Sequence, residues 1–137
     1  MKITTVGAFD LKSFREILKS ALELWKSHSE ILESNEEPKK VYRQRKRKIK
    51  AEQMLRDTVG KAELHLLFNG FGGCCVSYLW KGDSTRQADL TELGFFCDCP
   101  DENRDFQFCK HKLSLLEGLL QNSRGIIEGS MNTKKSP

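Results

Sequence analysis

The spacing of apolar and charged residues near the N-terminus is typical of an amphipathic helix. Asp10 has the side chain of a helix N-cap, and apolar residues then recur at steps of three and four positions, with charged residues between them. The pattern predicts a helix over residues 11–33. Its apolar stripe must be buried against the rest of the chain or against a partner. The candidate partner-binding residues on it are Leu11, Phe14, Leu18, Leu22 and Trp25.

A second helix is predicted over residues 39–58, because Pro38 suits a first helical turn and Gly60 ends the pattern. Its apolar stripe is poor and its basic residues are dense. A solvated helix face, a nuclear localisation signal and a phosphate-binding surface all fit this density, and Tyr42 is the one aromatic residue nearby. The basic residues, which are candidates for nucleic-acid binding or localisation, are Lys39, Lys40, Arg43, Arg45, Lys46, Arg47, Lys48 and Lys50.

After Gly60 the pattern changes to short apolar runs that are typical of strands. Residues 62–68 and 74–80 form two such runs, separated by the turn-forming residues 69–73. The polar residues 81–89 predict a loop, and a third strand is expected over residues 93–97.

The C-terminal part divides into a leucine-rich segment and a tail. Leucines that begin at Leu113 predict a final helix to about Asn122. Residues 123–137 contain glycines and serines without periodicity, so we expect a disordered tail there.

Four potential metal ligands lie close together before this helix. Cys97 and Cys99 form one pair, and after Pro100 and eight further residues Cys109 and His111 form a second. Cysteines two positions apart in extended chain point to the same side, and the second pair suits a helix start, with Cys109 before the first turn and His111 within it. Three thiolates and one imidazole make a closed tetrahedral site, so we expect one structural Zn²⁺ and no catalytic residues.

Composition helps to decide what the cysteines do. The chain has five cysteines, no run close to the roughly 20 apolar residues of a membrane span, and no signal-peptide pattern after Met1, so we expect an intracellular protein without a membrane partner. In a reducing compartment cysteines favour metal binding over disulfides. A Cys109–His111 nucleophile pair has no third orienting group. Cys74 and Cys75 are adjacent in a predicted strand and face opposite sides, and both are expected to be buried free thiols. His65 is expected to be an ordinary strand side chain.

The two ligand pairs resemble the SWIM-type zinc finger, in which C-x-C, a variable loop and C-x-H are preceded by a β-hairpin and followed by an apolar helix. The resemblance covers residues 62–122 and implies a compact ββα unit that binds DNA or protein. A narrower resemblance is to the small SWIM subunit of the Shu complex, which partners with recombinase paralogues in homologous recombination. That subfamily usually has alanine where this chain has Ser114.

We therefore expect an α+β chain in which N-terminal helices precede a small β-hairpin or sheet and a zinc-bound ββα finger. The expected regions are a helical part over 1–60 with the basic segment 39–50, a finger domain over 61–122, and the tail 123–137. Neither the H-x-E and P-C-x-x-C motifs of zinc deaminases nor a phosphate-binding glycine loop with lysine is present, so we expect no enzyme and no small-molecule substrate.

Two functions follow as expectations. One is a nuclear protein-interaction adaptor in a DNA-associated assembly, with a recombinase paralogue as the partner that the resemblance implies. The alternative is a sequence-nonspecific DNA-binding, transposase-related or chromatin-related factor that uses the basic segment. Four phenylalanines near the ligands (Phe95, Phe96, Phe106 and Phe108) are expected to pack around the zinc, His28 is expected to be partly exposed, and the loop acids Asp101, Glu102 and Asp105 would repel DNA.

Overall fold

A computed structural model describes residues 1–34, 37–57, 59–100 and 108–135, with side chains described as far as Ser130. Within these residues there are three helices and five strands. In chain order they are β1 (Lys2–Val6), α1 (Leu11–Glu33), α2 (Pro38–Leu55), β2 (Ala62–Phe68), β3 (Cys74–Lys81), β4 (Thr85–Thr91), β5 (Gly94–Cys97) and α3 (Lys110–Lys135).

The strands form one sheet in the order β1-β2-β3-β4-β5. β1 pairs in parallel with β2, and the other neighbours are antiparallel. The predicted turn between β2 and β3 is confirmed. Its Asn69 side chain accepts hydrogen bonds from the backbone N–H groups of Phe71 (2.8 Å) and Gly73 (3.1 Å), and Gly70 and Gly72 have positive φ angles that favour glycine.

One face of the sheet carries the core. Alternate residues of β2 and β3, such as Leu64, Leu66, Val76 and Tyr78, are fully buried, and buried leucines of α3 join them in one hydrophobic cluster. Residues on the opposite face, such as His65, remain partly exposed. This alternation follows from the two-residue period of a strand. The expected combination of helices with a sheet is thus present, as helices packed on a five-stranded sheet.

The prediction for α1 is confirmed at both ends. Asp10 is the N-cap, and its carboxylate accepts hydrogen bonds from the backbone N–H of Lys12 (3.2 Å) and the hydroxyl of Ser13 (2.6 Å). Phe14, Ile17 and Ala21 face the core. α2 also lies close to its predicted range and begins with Pro38 in its first turn.

The prediction of a loop over residues 81–89 is wrong, because β4 occupies most of it. Only Ala88 and Leu90 of this strand are buried, while the alternating residues face the partly exposed side of the sheet and are polar. A strand with two inward residues lacks the apolar run that sequence patterns detect.

The strand β1 was not predicted, and it makes the sheet begin within the expected helical region 1–60. Its sequence is Lys-Ile-Thr-Thr-Val, rich in β-branched residues that favour strands. Ile3 pairs in register with Leu64 and packs against the core. The N-terminal segment therefore shares the core of the predicted finger domain.

The expectation of a disordered tail from Ser123 is wrong over the described residues, because α3 continues to Lys135. Ile126 and Ile127 pack against the core cluster, and Ile126 lines a surface groove together with Ile3 of β1. Tertiary packing thus supports a segment whose glycines weaken its helical pattern. Among the described residues, none of the helices combines the length and the hydropathy that a membrane-spanning segment needs.

Candidate metal centre

The four predicted ligands come from three neighbouring places in the fold. Cys97 is the last residue of β5, and Cys99 follows two positions later. Cys109 directly precedes α3, and His111 is the second residue of that helix. The helix start predicted for the second pair is confirmed, since the backbone N–H of Leu113 donates to the carbonyl of Cys109 at 3.1 Å.

These side chains converge on one point. One ligand atom from each of the four residues lies within 4.8 Å of the others, so the group can hold a metal ion. Cys99, Cys109 and His111 are buried, and Cys97 is half-buried. His111 Nδ1 is buried and has no hydrogen-bond partner among the described residues. A buried, unpaired imidazole nitrogen is costly, and a bound metal ion would satisfy it.

The turn that carries the first pair is attached to β4 through Asp98, the residue between the two cysteines. Its backbone N–H donates to the carbonyl of Gln87 (3.2 Å), and its carboxylate accepts from the backbone N–H of Gln87 (3.1 Å). The guanidinium of Arg86 donates to the Asp98 carbonyl (3.4 Å). These bonds fix where the Cys97 and Cys99 thiols point. Sequence patterns did not identify Asp98, because its partners lie on a strand that was predicted to be a loop.

The start of α3 favours a thiolate at Cys109. Hydrogen bonding from the Cys97 thiol is the largest of the effects that lower the pKa of Cys109 to about 4, and the backbone N–H of Lys112 donates to its sulfur at 3.4 Å. A lowered pKa favours the Cys109 thiolate, which is the state a metal ligand requires. The same hydrogen bond with Cys109 is the largest of the causes that raise the pKa of Cys97.

A cluster of buried side chains connects the metal centre to the two N-terminal helices, α1 and α2. His28 of α1 is buried, which corrects the expectation of partial exposure, and its Nε2 lies 3.1 Å from the side-chain amide of Gln44 on α2. In the amide orientation that satisfies its neighbours, Gln44 donates to the carbonyl of Phe108 (3.2 Å) and accepts from Arg47 (2.9 Å). The His28 ring also packs edge-on against Phe108. Phe108 directly precedes Cys109, so this group positions the second ligand pair.

The predicted basic residues lie along α2 in two environments. Exposed residues are Lys39, Arg43, Arg45, Lys46 and Lys50, whereas Lys40, Arg47 and Lys48 are half-buried. Several of the eight also make local contacts, among them Arg45 and Lys48. Arg45 donates to the carbonyl of Leu32 near the end of α1 (3.3 Å), and the Lys48 ammonium lies 5.5 Å from the centre of the Trp25 ring.

Of the predicted apolar stripe of α1, one residue lies in the core and the other four are at least partly accessible. We call these four residues the border of the stripe. Phe14 is fully buried in the core and is therefore not available to a partner, which corrects its assignment as a partner-binding residue. Leu11, Leu18 and Trp25 are half-buried and Leu22 is 57% exposed. The helix buries Phe14, Ile17, Ala21 and His28, and the remaining stripe residues lie beside this face.

The other candidates near the centre have structural places. Cys74 is buried and Cys75 is half-buried, both are free thiols, and neither belongs to the ligand group. His65 is a strand side chain that lies 3.4 Å from Glu63. Phe108 is buried as expected, Phe95 is half-buried, and Phe96 is 52% exposed. The predicted loop residues Asp101, Glu102, Asp105 and Phe106 lie outside the described residues.

No protein-family model, curated protein or solved structure matches the chain.

Proposed function

We propose that the chain is a non-enzymatic binding module whose C-terminal half folds around a single structural zinc ion in the manner of a SWIM finger. The observation that carries the proposal is the convergence of four donor atoms within 4.8 Å. Three thiolates and an imidazole are a donor set that Zn²⁺ prefers in tetrahedral geometry. The order of β4, β5, the ligands and α3 supports the resemblance to the ββα arrangement.

Metal analysis of purified protein tests this proposal. We expect one zinc per chain in protein prepared without added metal. Cys97→Ser and His111→Ala should lose the zinc and unfold the C-terminal half, because metal binding in small zinc domains supplies about 10–16 kcal/mol of folding free energy. Cys74→Ala and Cys75→Ala are the matched controls and should retain one zinc. Wild-type protein without metal, or ligand variants with unchanged circular dichroism and melting temperature, would exclude a structural zinc site.

We further propose that the module is an adaptor for a protein partner in a nuclear, DNA-associated assembly. Because the chain resembles the small Shu-complex subunit, we propose a recombinase paralogue as the partner. The border of the α1 stripe supports this role, because Leu22 is exposed and Leu11, Leu18 and Trp25 are half-buried beside it. Apolar residues of this kind are common anchors of protein interfaces.

Co-purification with a recombinase paralogue from the same cell tests the adaptor. Combined Leu18→Ala and Leu22→Ala substitutions should reduce capture by tenfold or more, since each anchor often contributes about 2 kcal/mol. Leu93→Ala is the matched control, because Leu93 is 94% exposed and lies outside α1. Zinc content and melting temperature are measured in parallel. A folded double variant that captures the paralogue as well as wild type would refute this surface.

A second candidate function is nucleic-acid binding through α2. The specific observation is that five of its basic residues are exposed on a helix whose opposite side is buried. If about six phosphates were contacted, the logarithm of affinity for duplex DNA would fall with the logarithm of salt concentration with a slope near −5. Binding that does not change with salt would exclude this mode.

A further inference from the structure

A cavity of about 480 Å³ lies between α2, the β3–β4 turn and the metal centre. This size is within the range of about 300–1,000 Å³ that is usual for small-ligand sites. Cationic side chains from four separate places in the chain line it: Lys50 of α2, Lys61 before β2, Arg86 of β4 and Lys110 of α3. Trp80 of β3 contributes an indole ring.

The charge of this cavity favours an anion. Among the described lining residues, Asp83 is the one carboxylate set against four cations. Cys99 and His111 also line it, and a zinc centre with three thiolates would carry a net charge near −1. Among the described lining residues, two positive charges remain in excess after both are counted. A phosphate group is an anion of suitable charge and size.

The indole suggests what the anion is attached to. Trp80 is half-buried, and it pairs in register with Arg86 across the strands. The Lys61 ammonium lies over the Trp80 ring, 6.0 Å from its centre, so a cation and an aromatic ring line the same cavity. Gly82 makes room for this ring, because a Cβ atom there would lie 2.7 Å from the indole nitrogen. An aromatic ring beside cations is a common arrangement for stacking a nucleobase and holding its phosphate.

The cavity continues the basic surface of α2. Lys50 belongs to both, and Lys39, Arg43 and Lys46 precede it along exposed positions of the same helix. A charged polymer could therefore follow the helix and enter the cavity at Lys50. The basic segment has only Tyr42 as an aromatic residue of its own, and the fold adds Trp80 from β3.

We propose that this cavity binds one nucleotide of a single-stranded nucleic acid, with the base stacked on Trp80 and the phosphate held among Lys61, Arg86 and Lys110. The proposal rests on the second candidate function and names its site. A duplex keeps its bases stacked on one another and offers none to the indole, whereas a single strand does. An acidic peptide would satisfy the cations and leave the ring without a matching flat partner.

Binding of a fluorescein-labelled oligothymidylate to the zinc-loaded full chain tests the proposal by fluorescence anisotropy. Trp80→Ala should weaken binding about fivefold or more through loss of base stacking. Trp80→Phe should retain part of the affinity and preserves an aromatic ring for packing. The combined Lys61→Gln and Arg86→Gln variant should make the salt slope shallower by up to about 0.7, since each phosphate contact to a single strand contributes about 0.7.

The combined Lys19→Gln and Lys26→Gln variant is the matched control. Both lysines are exposed on α1 and lie outside the cavity, so this variant loses the same charge and should leave the affinity nearly unchanged. Every variant is compared at equal zinc content and melting temperature. These measurements separate failure of the cavity from failure of the zinc fold.

Intrinsic fluorescence locates the base without altering the cavity. The chain has two tryptophans, so Trp25→Phe leaves Trp80 as the sole indole. Oligothymidylate should quench the fluorescence of this variant, and deoxythymidine monophosphate should do so at higher concentration.

Four results would overturn the proposal: no binding of the single strand at low salt, unchanged Trp80 fluorescence on binding, equal losses in cavity and α1 charge variants, or full competition by polyglutamate. Tighter binding of duplex than of single strand, with the Trp80 variants unaffected, would restrict recognition to the phosphate backbone along α2 and would also refute it.

Discussion

Two hydroxyl groups meet in the core where α3 contacts α2 and the sheet. Ser114 Oγ lies 2.9 Å from the hydroxyl of Tyr78 and 3.4 Å from the carbonyl of Ala51, and both side chains are fully buried. Burial raises the pKa of Tyr78 to about 12, so its hydroxyl stays neutral and needs a hydrogen-bond partner. Ser114 thus has a structural role in the core.

Ser114→Ala should therefore lower the free energy of unfolding by about 1–3 kcal/mol, because it leaves a buried hydroxyl unpaired. Urea denaturation at neutral pH measures the change. Adding Tyr78→Phe to this variant should recover much of the loss, since both polar partners are then removed together. Equal stability of wild type and the single variant would show that the contact contributes nothing.

Burial also determines the charge of His28. Removal from water, together with the nearby charge of Lys48, lowers the pKa of His28 from 6.5 to about 4. The unfolded chain then binds more protons than the folded chain between these values. Stability is consequently greatest above about pH 6.5 and decreases as the pH falls toward 4.

From about pH 7 to about pH 5 this residue should remove about 2 kcal/mol from the free energy of unfolding. His28→Gln should have a shallower pH dependence by that amount, measured by urea denaturation at each pH. Zinc ligands are identical in the two proteins, so proton competition for the metal cancels in the comparison. Parallel pH profiles would mean that His28 titrates normally in the folded chain.

Among the elements, α3 is the one whose length is least expected from its sequence, because it contains glycines, which lower helix propensity. A Cβ atom added at Gly125 would meet nothing within 4 Å, whereas one at Gly118 would lie 3.0 Å from Met1 Cε and 3.2 Å from Leu55 Cδ2. The two glycines therefore differ: Gly118 permits close packing, and Gly125 only weakens the helix.

Gly125→Ala should accordingly stabilise the protein by about 0.5–1 kcal/mol, the difference in helix propensity between the two residues. Gly118→Ala is the matched control, in which crowding should cancel or reverse this gain. Thermal melting of both variants tests the contrast. If Gly125→Ala leaves the melting temperature unchanged, the helix does not extend past this residue in solution. The disordered tail that the sequence predicts would then be correct.

At the scale of the whole molecule, the helical part and the finger share one core. Phe14 and Ile17 of α1, Ala51 and Met54 of α2, and Ile3 of β1 pack with the sheet and the leucines of α3. The division at residue 60 that the change in sequence pattern suggested therefore runs through a common hydrophobic cluster.

A fragment of residues 61–137 should for this reason fail to fold cooperatively, even with zinc present, because its sheet and α3 would expose the apolar surface that α1 and α2 cover. Circular dichroism and the dispersion of amide proton resonances measure this against the full chain. A fragment that binds one zinc and unfolds in a cooperative transition would establish residues 61–137 as an independent domain.

Sequence alone determined the features that depend on neighbours along the chain. The boundaries of α1, its Asp10 cap, the Asn69 turn and the four-ligand group all follow from spacings of a few residues, which backbone geometry converts directly into shared faces and turns. The tertiary structure decided what depends on distant segments. β1 pairs with a strand some sixty residues away, the polar β4 is a strand because its neighbours supply hydrogen bonds, and His28 is buried by Gln44 and Phe108. Trp80, likewise, lines one cavity with Lys50 and Lys110 because α3 packs on the sheet and α2 packs on α3, and no local sequence period predicts a proximity of that range.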